Sequence, residues 1–103
     1  MITLNSRELS DSWLAQLPLK QITDCQPVSG GDINLAYQII ADGTPYFMKV
    51  QPGRPAKYFE HEILGLKAIG KVANVPTPIA NGEIDGDAYL ILNWLAIGYG
   101  NQY

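Results

Sequence analysis

Apolar and polar residues alternate along two neighbouring segments of the chain, Leu35–Ala41 and Tyr46–Gln51. Alternation with a period of two is typical of strands that bury one face. The pair Asp42-Gly43 between them favours a two-residue hairpin turn, because such a turn needs positive φ at both central positions. We therefore predict that the two segments are adjacent antiparallel strands.

Three further segments have strand character. A second Asp-Gly pair lies between Ile79–Ile84 and Ala88–Trp94, which predicts a second hairpin. Near the start of the chain, Gln21–Val28 carries apolar residues at both ends and leads into a glycine-containing turn. Together with the central pair, these segments predict five antiparallel strands.

Two segments have helical spacing instead. In Lys57–Val72 an apolar stripe recurs at 100° per residue, formed by Phe59, Ile63, Leu66, Ile69 and Gly70. Asn5 and Glu8 resemble a capping box that opens a helix ending at Pro18, and Trp13 of this helix should pack on the outside of the sheet. The predicted fold class is α+β, with a five-stranded antiparallel sheet, one long helix between strands 3 and 4, and an amino-terminal helix.

One lysine and one glutamate stand where charged side chains are unusual. In the third strand, Lys49 shares a face with Phe47. Glu62 lies inside the apolar stripe of the long helix, between Phe59 and Leu66. A carboxylate on a core-facing stripe is costly unless it is paired, so we predict that Glu62 pairs with Lys49.

A glycine pair, Gly30-Gly31, stands just before the first hairpin. Without Cβ atoms, the backbone N–H groups of such a turn can approach an anion closely. Alone, a glycine pair is more typical of an ordinary tight turn. Combined with Lys49 and Glu62, it indicates the apparatus that holds the phosphates of ATP in kinase-like folds.

Four motifs now resemble those of a known family, the fructosamine kinases or ketosamine-3-kinases, which are relatives of the aminoglycoside phosphotransferases. In chain order they are S-G-G-D-I-N-L-A-Y, Y-F-M-K-V, F-E-H-E-I-L-G-L-K-A-I and V-P-T-P-I-A-N-G-E. The resemblance covers roughly Val28 to Leu95. It implies a protein-kinase-like amino-terminal lobe over residues 1–95, a hinge remnant over residues 96–103, and no carboxy-terminal lobe.

The resemblance implies ATP as the cofactor, with Mg²⁺ in a complete enzyme. Lys49 would contact the α- and β-phosphates, and Glu62 would orient Lys49. Gly30 and Gly31 would offer their backbone N–H groups to the phosphates.

The adenine end of the implied pocket involves a second set of residues. Val28 would form the roof of the pocket, although it is equally a strand-end core residue. Phe47 would either stack on adenine or pack in the core. Backbone groups of Asn93, Trp94 and Leu95 would face the edge of the adenine ring.

No catalytic or metal-binding residue is expected in this chain. The family carries its catalytic aspartate and its magnesium ligands in an H-G-D-x-x-x-x-N-like loop and a later aspartate of the carboxy-terminal lobe. The single histidine, His61, belongs to the predicted helix. We therefore expect an ATP-binding lobe of a ketosamine 3-kinase without turnover by itself. Its exposed apolar end around Leu95, Ile97 and Tyr99 predicts a homo-oligomer.

Composition excludes several other classes. A hydrophobic fraction of 47% with 17% charged residues indicates a folded domain. The net charge of −3 provides no basic surface for nucleic acid or an anionic membrane. Cys25 is the only cysteine, so no internal disulfide forms, and we expect it to be a half-buried strand residue. Neither a signal peptide nor a long apolar run is present, which makes the cytoplasm the default location.

Two alternative functions remain open. A non-catalytic module that dimerises or binds a protein partner could keep the same lobe, and a stop codon after Tyr103 would favour it. A small antiparallel-sheet ligand binder unrelated to kinases would explain the hairpins but not Glu62. A distance above about 6 Å between Lys49 and Glu62 would favour that last interpretation.

Overall fold

The computed structural model describes residues 9–28 and 35–95. Its elements in chain order are helix α1 (Asp11–Leu14), strands β1 (Ile22–Pro27), β2 (Leu35–Ala41) and β3 (Thr44–Gln51), helix α2 (Glu60–Ile69), and strands β4 (Pro78–Ile84) and β5 (Asp87–Asn93). A short 3-10 helix at Ala56–Phe59 leads directly into α2. The strand boundaries differ from the predicted ones by no more than two residues.

All five strands form one antiparallel sheet in the order β1-β2-β3-β5-β4. Both predicted hairpin turns are confirmed, because Asp42 and Gly43 have φ of 51° and 79°, and Asp85 and Gly86 have φ of 51° and 84°. The crossover places β5 between β3 and β4. Strand β3, which carries Lys49, is therefore the central strand of the sheet.

The two faces of the sheet bury different apolar clusters. The α1 face is covered by α1 and the turn after it, and its buried residues include Trp13, Leu17, Tyr37, Ile39, Met48, Val50 and Ile91. The α2 face contains Phe59, Ala88, Leu90 and Leu92, with Phe47, Ile63 and Leu66 packed against them. The alternation along β3 is thus confirmed, and so is the expected packing of Trp13 on the outside of the sheet.

The amino-terminal helix is shorter than predicted. It has four residues, and Ser10 caps it by accepting a hydrogen bond from the backbone N–H of Trp13 at 3.1 Å. Serine at this position satisfies one of the unpaired N–H groups of a helix start. The capping box predicted at Asn5 and Glu8 lies outside the described residues.

Helix α2 is also shorter than the predicted segment Lys57–Val72. It begins after the 3-10 helix and ends at Ile69, with Gly70 as its C-cap. The backbone N–H of Gly70 still donates to the carbonyl oxygen of Leu66 at 2.8 Å, but residues 70–72 form a turn rather than a further helical turn. In the part of the chain that the structure describes, no helix has the length and apolar content needed to cross a membrane.

The predicted apolar stripe of α2 is only partly correct. Phe59 is fully buried and Ile63 and Leu66 are half-buried, but Ile69 and Gly70 are exposed. Packing against the sheet is concentrated at the start of the helix, where Phe59 enters the α2 face. The last turn of α2 therefore leaves its apolar side chain in solvent.

Gly82 on β4 gives room to the aromatic ring opposite it. A Cβ atom at Gly82 would lie 2.9 Å from the hydroxyl oxygen of Tyr89 and 3.1 Å from two of its ring carbons. The Tyr89 ring is buried and packs edge-on against Trp13, with ring centroids 6.2 Å apart. We expect Gly82→Ala to lower the free energy of unfolding by about 1–3 kcal/mol, as overpacked sites do.

Urea denaturation followed by tryptophan fluorescence measures this effect, and Gly65→Ala is the matched control. A Cβ atom at Gly65 meets no atom within 4 Å, and this glycine lies inside α2. The control should therefore raise the free energy of unfolding by about 0.5–1 kcal/mol. Equal effects of the two substitutions would contradict the packing of Tyr89 over Gly82.

Cys25 is half-buried on β1, as predicted. Burial, and to a smaller degree the negative charge of Asp24, raises the pKa of the Cys25 thiol to about 11. A raised pKa lowers the thiolate fraction at neutral pH, and the greater nucleophilicity of the remaining thiolate offsets only part of this loss.

Iodoacetamide at pH 8 should alkylate Cys25 of the native chain about tenfold more slowly than in the urea-unfolded chain. Mass spectrometry measures both rates, and a native rate equal to the unfolded one would contradict this environment.

Candidate functional site

Lys49 lies on the α2 face of the central strand. Its backbone is opposite Ala36 of β2 on one side and Leu90 of β5 on the other. Directly opposite residues of antiparallel strands point to the same face, so both neighbours flank the lysine side chain. Leu90 is fully buried. The aliphatic part of Lys49 thus lies beside apolar surface, a common arrangement for long cationic side chains.

The ammonium group of Lys49 is paired with a carboxylate of α2. Its Nζ donates a hydrogen bond to Oε2 of Glu62 at 2.7 Å, and the two side chains are 13% and 35% exposed. This length is typical of a charge-assisted hydrogen bond. The predicted pairing is confirmed, and the distance is far below the separation that would favour an unrelated ligand-binding sheet.

Glu62 reaches Lys49 because of the residue three positions before it. Phe59 is buried among Ala88, Leu90 and Leu92 of β5, which fixes the start of α2 over that strand. Side chains three residues apart lie on the same side of a helical segment. Burial of Phe59 therefore brings Glu62 over the boundary between β3 and β5. A carboxylate in the first helical turn is also favoured by the helix dipole.

Val28 lies level with Lys49 across the sheet. Its backbone N–H donates to the carbonyl oxygen of Ala36 at 2.9 Å, which continues the register of β1 with β2. Val28, Ala36, Lys49 and Leu90 consequently form one row on the α2 face. The half-buried Ala36 was missed in the sequence analysis, although the alternation of its strand places it on this face.

Phe47 occupies the next position along the same face of β3. It is opposite Leu92 of β5, and its ring centroid lies 6.0 Å from that of Trp94 with an interplanar angle of 53°. Both aromatic residues are half-buried. The structure thus brings Phe47 and Trp94 together at the end of β5. Phe47 lies two residues before Lys49 on β3.

Asn93 is engaged within the fold. Its backbone N–H donates to the carbonyl oxygen of Thr77 at 3.1 Å, and its side-chain Oδ1 accepts from the backbone N–H of Thr77 at 2.6 Å. The backbone N–H of Asn93 is therefore used within the fold. We now expect only its backbone carbonyl group to contact a ligand. Trp94 and Leu95 follow after the end of β5 and are half-buried.

Some predicted site residues cannot be compared with the structure. Gly30 and Gly31 lie outside the described residues, and so do Ile97 and Tyr99. The glycine-lined anion cradle and the self-association surface therefore stay predictions. Within residues 9–28 and 35–95, no group of three or more His, Cys, Asp or Glu side chains is placed to hold a metal ion.

Comparison with known proteins gives several similar chains. A probable ketoamine kinase of Lactiplantibacillus plantarum is 53% identical over 94 residues, which cover 91% of this chain and 34% of that relative. A probable ketoamine kinase of Staphylococcus aureus is 42% identical over 91 residues, covering 87% of this chain and 32% of the relative. The chloroplastic protein-ribulosamine 3-kinase of Arabidopsis thaliana is 37% identical over 87 residues, covering 80% and 27%.

The chain spans only about a third of the length of these kinases. No solved structure gives a significant match to the chain. The family described as fructosamine kinase matches residues 3–103. The predicted resemblance over roughly Val28 to Leu95 is thus confirmed, the match extends beyond it at both ends, and the chain belongs to the fructosamine kinase family.

Proposed function

We propose that this chain provides the ATP-binding lobe of a kinase that phosphorylates ketoamines, which are adducts of a sugar and an amine. The observation that carries the proposal is the 2.7 Å contact between Lys49 on the central strand and Glu62 on α2. Kinase-like folds use such a pair to hold a lysine against nucleotide phosphates. The substrate class comes from the relatives, which are named as ketoamine and ribulosamine kinases.

At the phosphate end, the charge of Lys49 would attract the α- and β-phosphates. The ammonium is largely shielded from water, and electrostatic attraction is stronger where water is excluded. Glu62 would keep the lysine in one orientation, so little rotamer entropy is lost when the nucleotide binds. The backbone N–H groups of Gly30 and Gly31 would add uncharged donors to the same phosphates.

At the adenine end, the α2 face of the sheet offers an apolar surface. Val28 and Ala36 lie on this face beyond Lys49, and Phe47 lies beside Trp94 on the same face. An aromatic ring system binds well against such apolar and aromatic side chains. Backbone groups of Trp94 and Leu95 and the carbonyl of Asn93 would contact the polar edge of adenine.

ATP, with Mg²⁺, would supply the phosphoryl group. We assign the catalytic aspartate and the magnesium ligands to the part of the relatives that this chain does not span. His61 is exposed on α2 and is followed by Glu62, so it does not begin an H-G-D loop. We accordingly expect nucleotide binding without phosphoryl transfer from residues 1–103 by themselves.

A second candidate function is an interaction module without nucleotide. Three large apolar side chains on or near α2, Leu64, Ile69 and Val72, are 63%, 48% and 87% exposed. Contiguous exposed apolar surface is a feature of interaction sites, and these three side chains lie within nine residues of one another in the sequence. Nucleotide binding that depends on Lys49 separates the two functions, because the module would not need that lysine.

Lys49→Met tests the proposed function. Removing the ammonium should weaken nucleotide binding about ten- to a hundredfold, as expected for loss of a hydrogen bond to a charged group. Titration of the isotope-labelled chain with ADP or ATP, followed by NMR chemical shifts, detects even weak binding. The matched control is Lys67→Met, since Lys67 is exposed in the last turn of α2. Shift changes of equal size in the Lys49→Met variant and the unsubstituted chain would contradict the proposal.

A further inference from the structure

Asp87, the first residue of β5, is a buried carboxylate outside the site described above. It is 7% exposed. Its Oδ2 accepts a hydrogen bond from Nε1 of Trp13, and its Oδ1 accepts one from the backbone N–H of Gly53, both at 3.2 Å. Burial of a carboxylate is costly unless such bonds are made. Asp87 therefore ties α1 and the segment after β3 to the start of β5.

Gly53 belongs to the turn that carries the chain from β3 towards α2. Its φ of 73° and the preceding Pro52 match the two central positions of a type II turn. A Cβ atom at Gly53 would meet no atom within 4 Å. The hydrogen bond from its backbone N–H to Asp87 ties this turn to the start of β5. The turn lies four residues after Lys49 and nine before Glu62, on the connection between the two charges.

Helix α2 depends on what holds its amino-terminal end. None of its own residues is buried, whereas Phe59 just before it is fully buried. A helix with so few buried contacts opens locally at low free-energy cost unless its ends are fixed. Phe59 fixes one point of this end, and the bond between Gly53 and Asp87 fixes a second point earlier in the connection.

We propose that Asp87 is a positioning residue, which fixes the connection between β3 and α2 and thereby keeps Glu62 on Lys49. It acts through the backbone at Gly53 and from the α1 face, so it does not touch the nucleotide. The consequence for nucleotide affinity rests on the proposed function. The effect of Asp87 on the local stability of α2 does not depend on the proposed function and is measured separately.

Asp87→Ala and Trp13→Phe form a matched pair for the test. The alanine removes the hydrogen bonds from Trp13 and from Gly53, whereas phenylalanine removes the Trp13 donor and leaves the bond to Gly53. Both should lower overall stability, but only Asp87→Ala should speed hydrogen exchange of the α2 amides relative to those of β3 and β5. If Asp87→Ala does not fold in buffer, the comparison is made in sucrose, which favours compact states.

Nucleotide titration gives the second measurement. Asp87→Ala should weaken binding about fivefold, the size expected for a residue acting through another, while Trp13→Phe should stay within about twofold. Asp87→Asn keeps an oxygen that can accept from Gly53, and it should restore most of the affinity and the slow exchange of α2.

A double-mutant cycle with Glu62→Gln tests whether Asp87 acts on the nucleotide through Glu62. If Asp87 acts through Glu62, Asp87→Ala should have little further effect on affinity once Glu62 is substituted. Additive losses, or equal acceleration of α2 exchange by Asp87→Ala and Trp13→Phe, would overturn the inference. If Lys49→Met leaves binding unchanged, the proposed function fails, whereas the exchange of α2 still decides whether Asp87 holds the helix.

Discussion

The hydrogen-bonded ion pair of Lys49 and Glu62 is the interaction on which the candidate site depends. A lysine side chain that is only 13% exposed has lost most of its hydration and needs a negative partner close by. That partner comes from a helix, whereas the lysine belongs to the central strand. Because the Glu62 side chain is 35% exposed, its carboxylate remains partly hydrated even though the ammonium of Lys49 is shielded, so the pair contributes more to the orientation of the ammonium than to stability.

Strand order explains how this pair can form. Because β5 crosses over to pair with β3, the buried Leu90 stands directly beside Lys49. The same strand provides the apolar cluster into which Phe59 packs at the start of α2. One strand therefore shields the lysine stem and seats the helix that carries its partner. A change in the packing of Phe59 would move Glu62 without altering Lys49 itself.

The sequence predicted the parts of the fold that have local causes. Period-two alternation and the two Asp-Gly pairs located the strands, and the cost of a carboxylate on an apolar stripe identified Glu62. Asp87 was missed because an aspartate next to a hairpin turn is ordinary. Its burial depends on donors 74 and 34 residues away, at Trp13 and Gly53. The crossover of β5 could not be predicted from local sequence either, because it depends on pairing between distant segments.

Asn93 shows how a residue that resemblance assigns to a ligand can also serve the fold. Strand β4 begins with Pro78, which has no N–H to donate, and its register with β5 shifts between Pro78 and Ala80. Asn93 closes this irregular end by bonding both backbone groups of Thr77, one with its N–H and one with its side chain. The end of β5 is thereby fixed immediately before Trp94. The ring contact of Trp94 with Phe47 can then form at a defined place beside the row that contains Lys49.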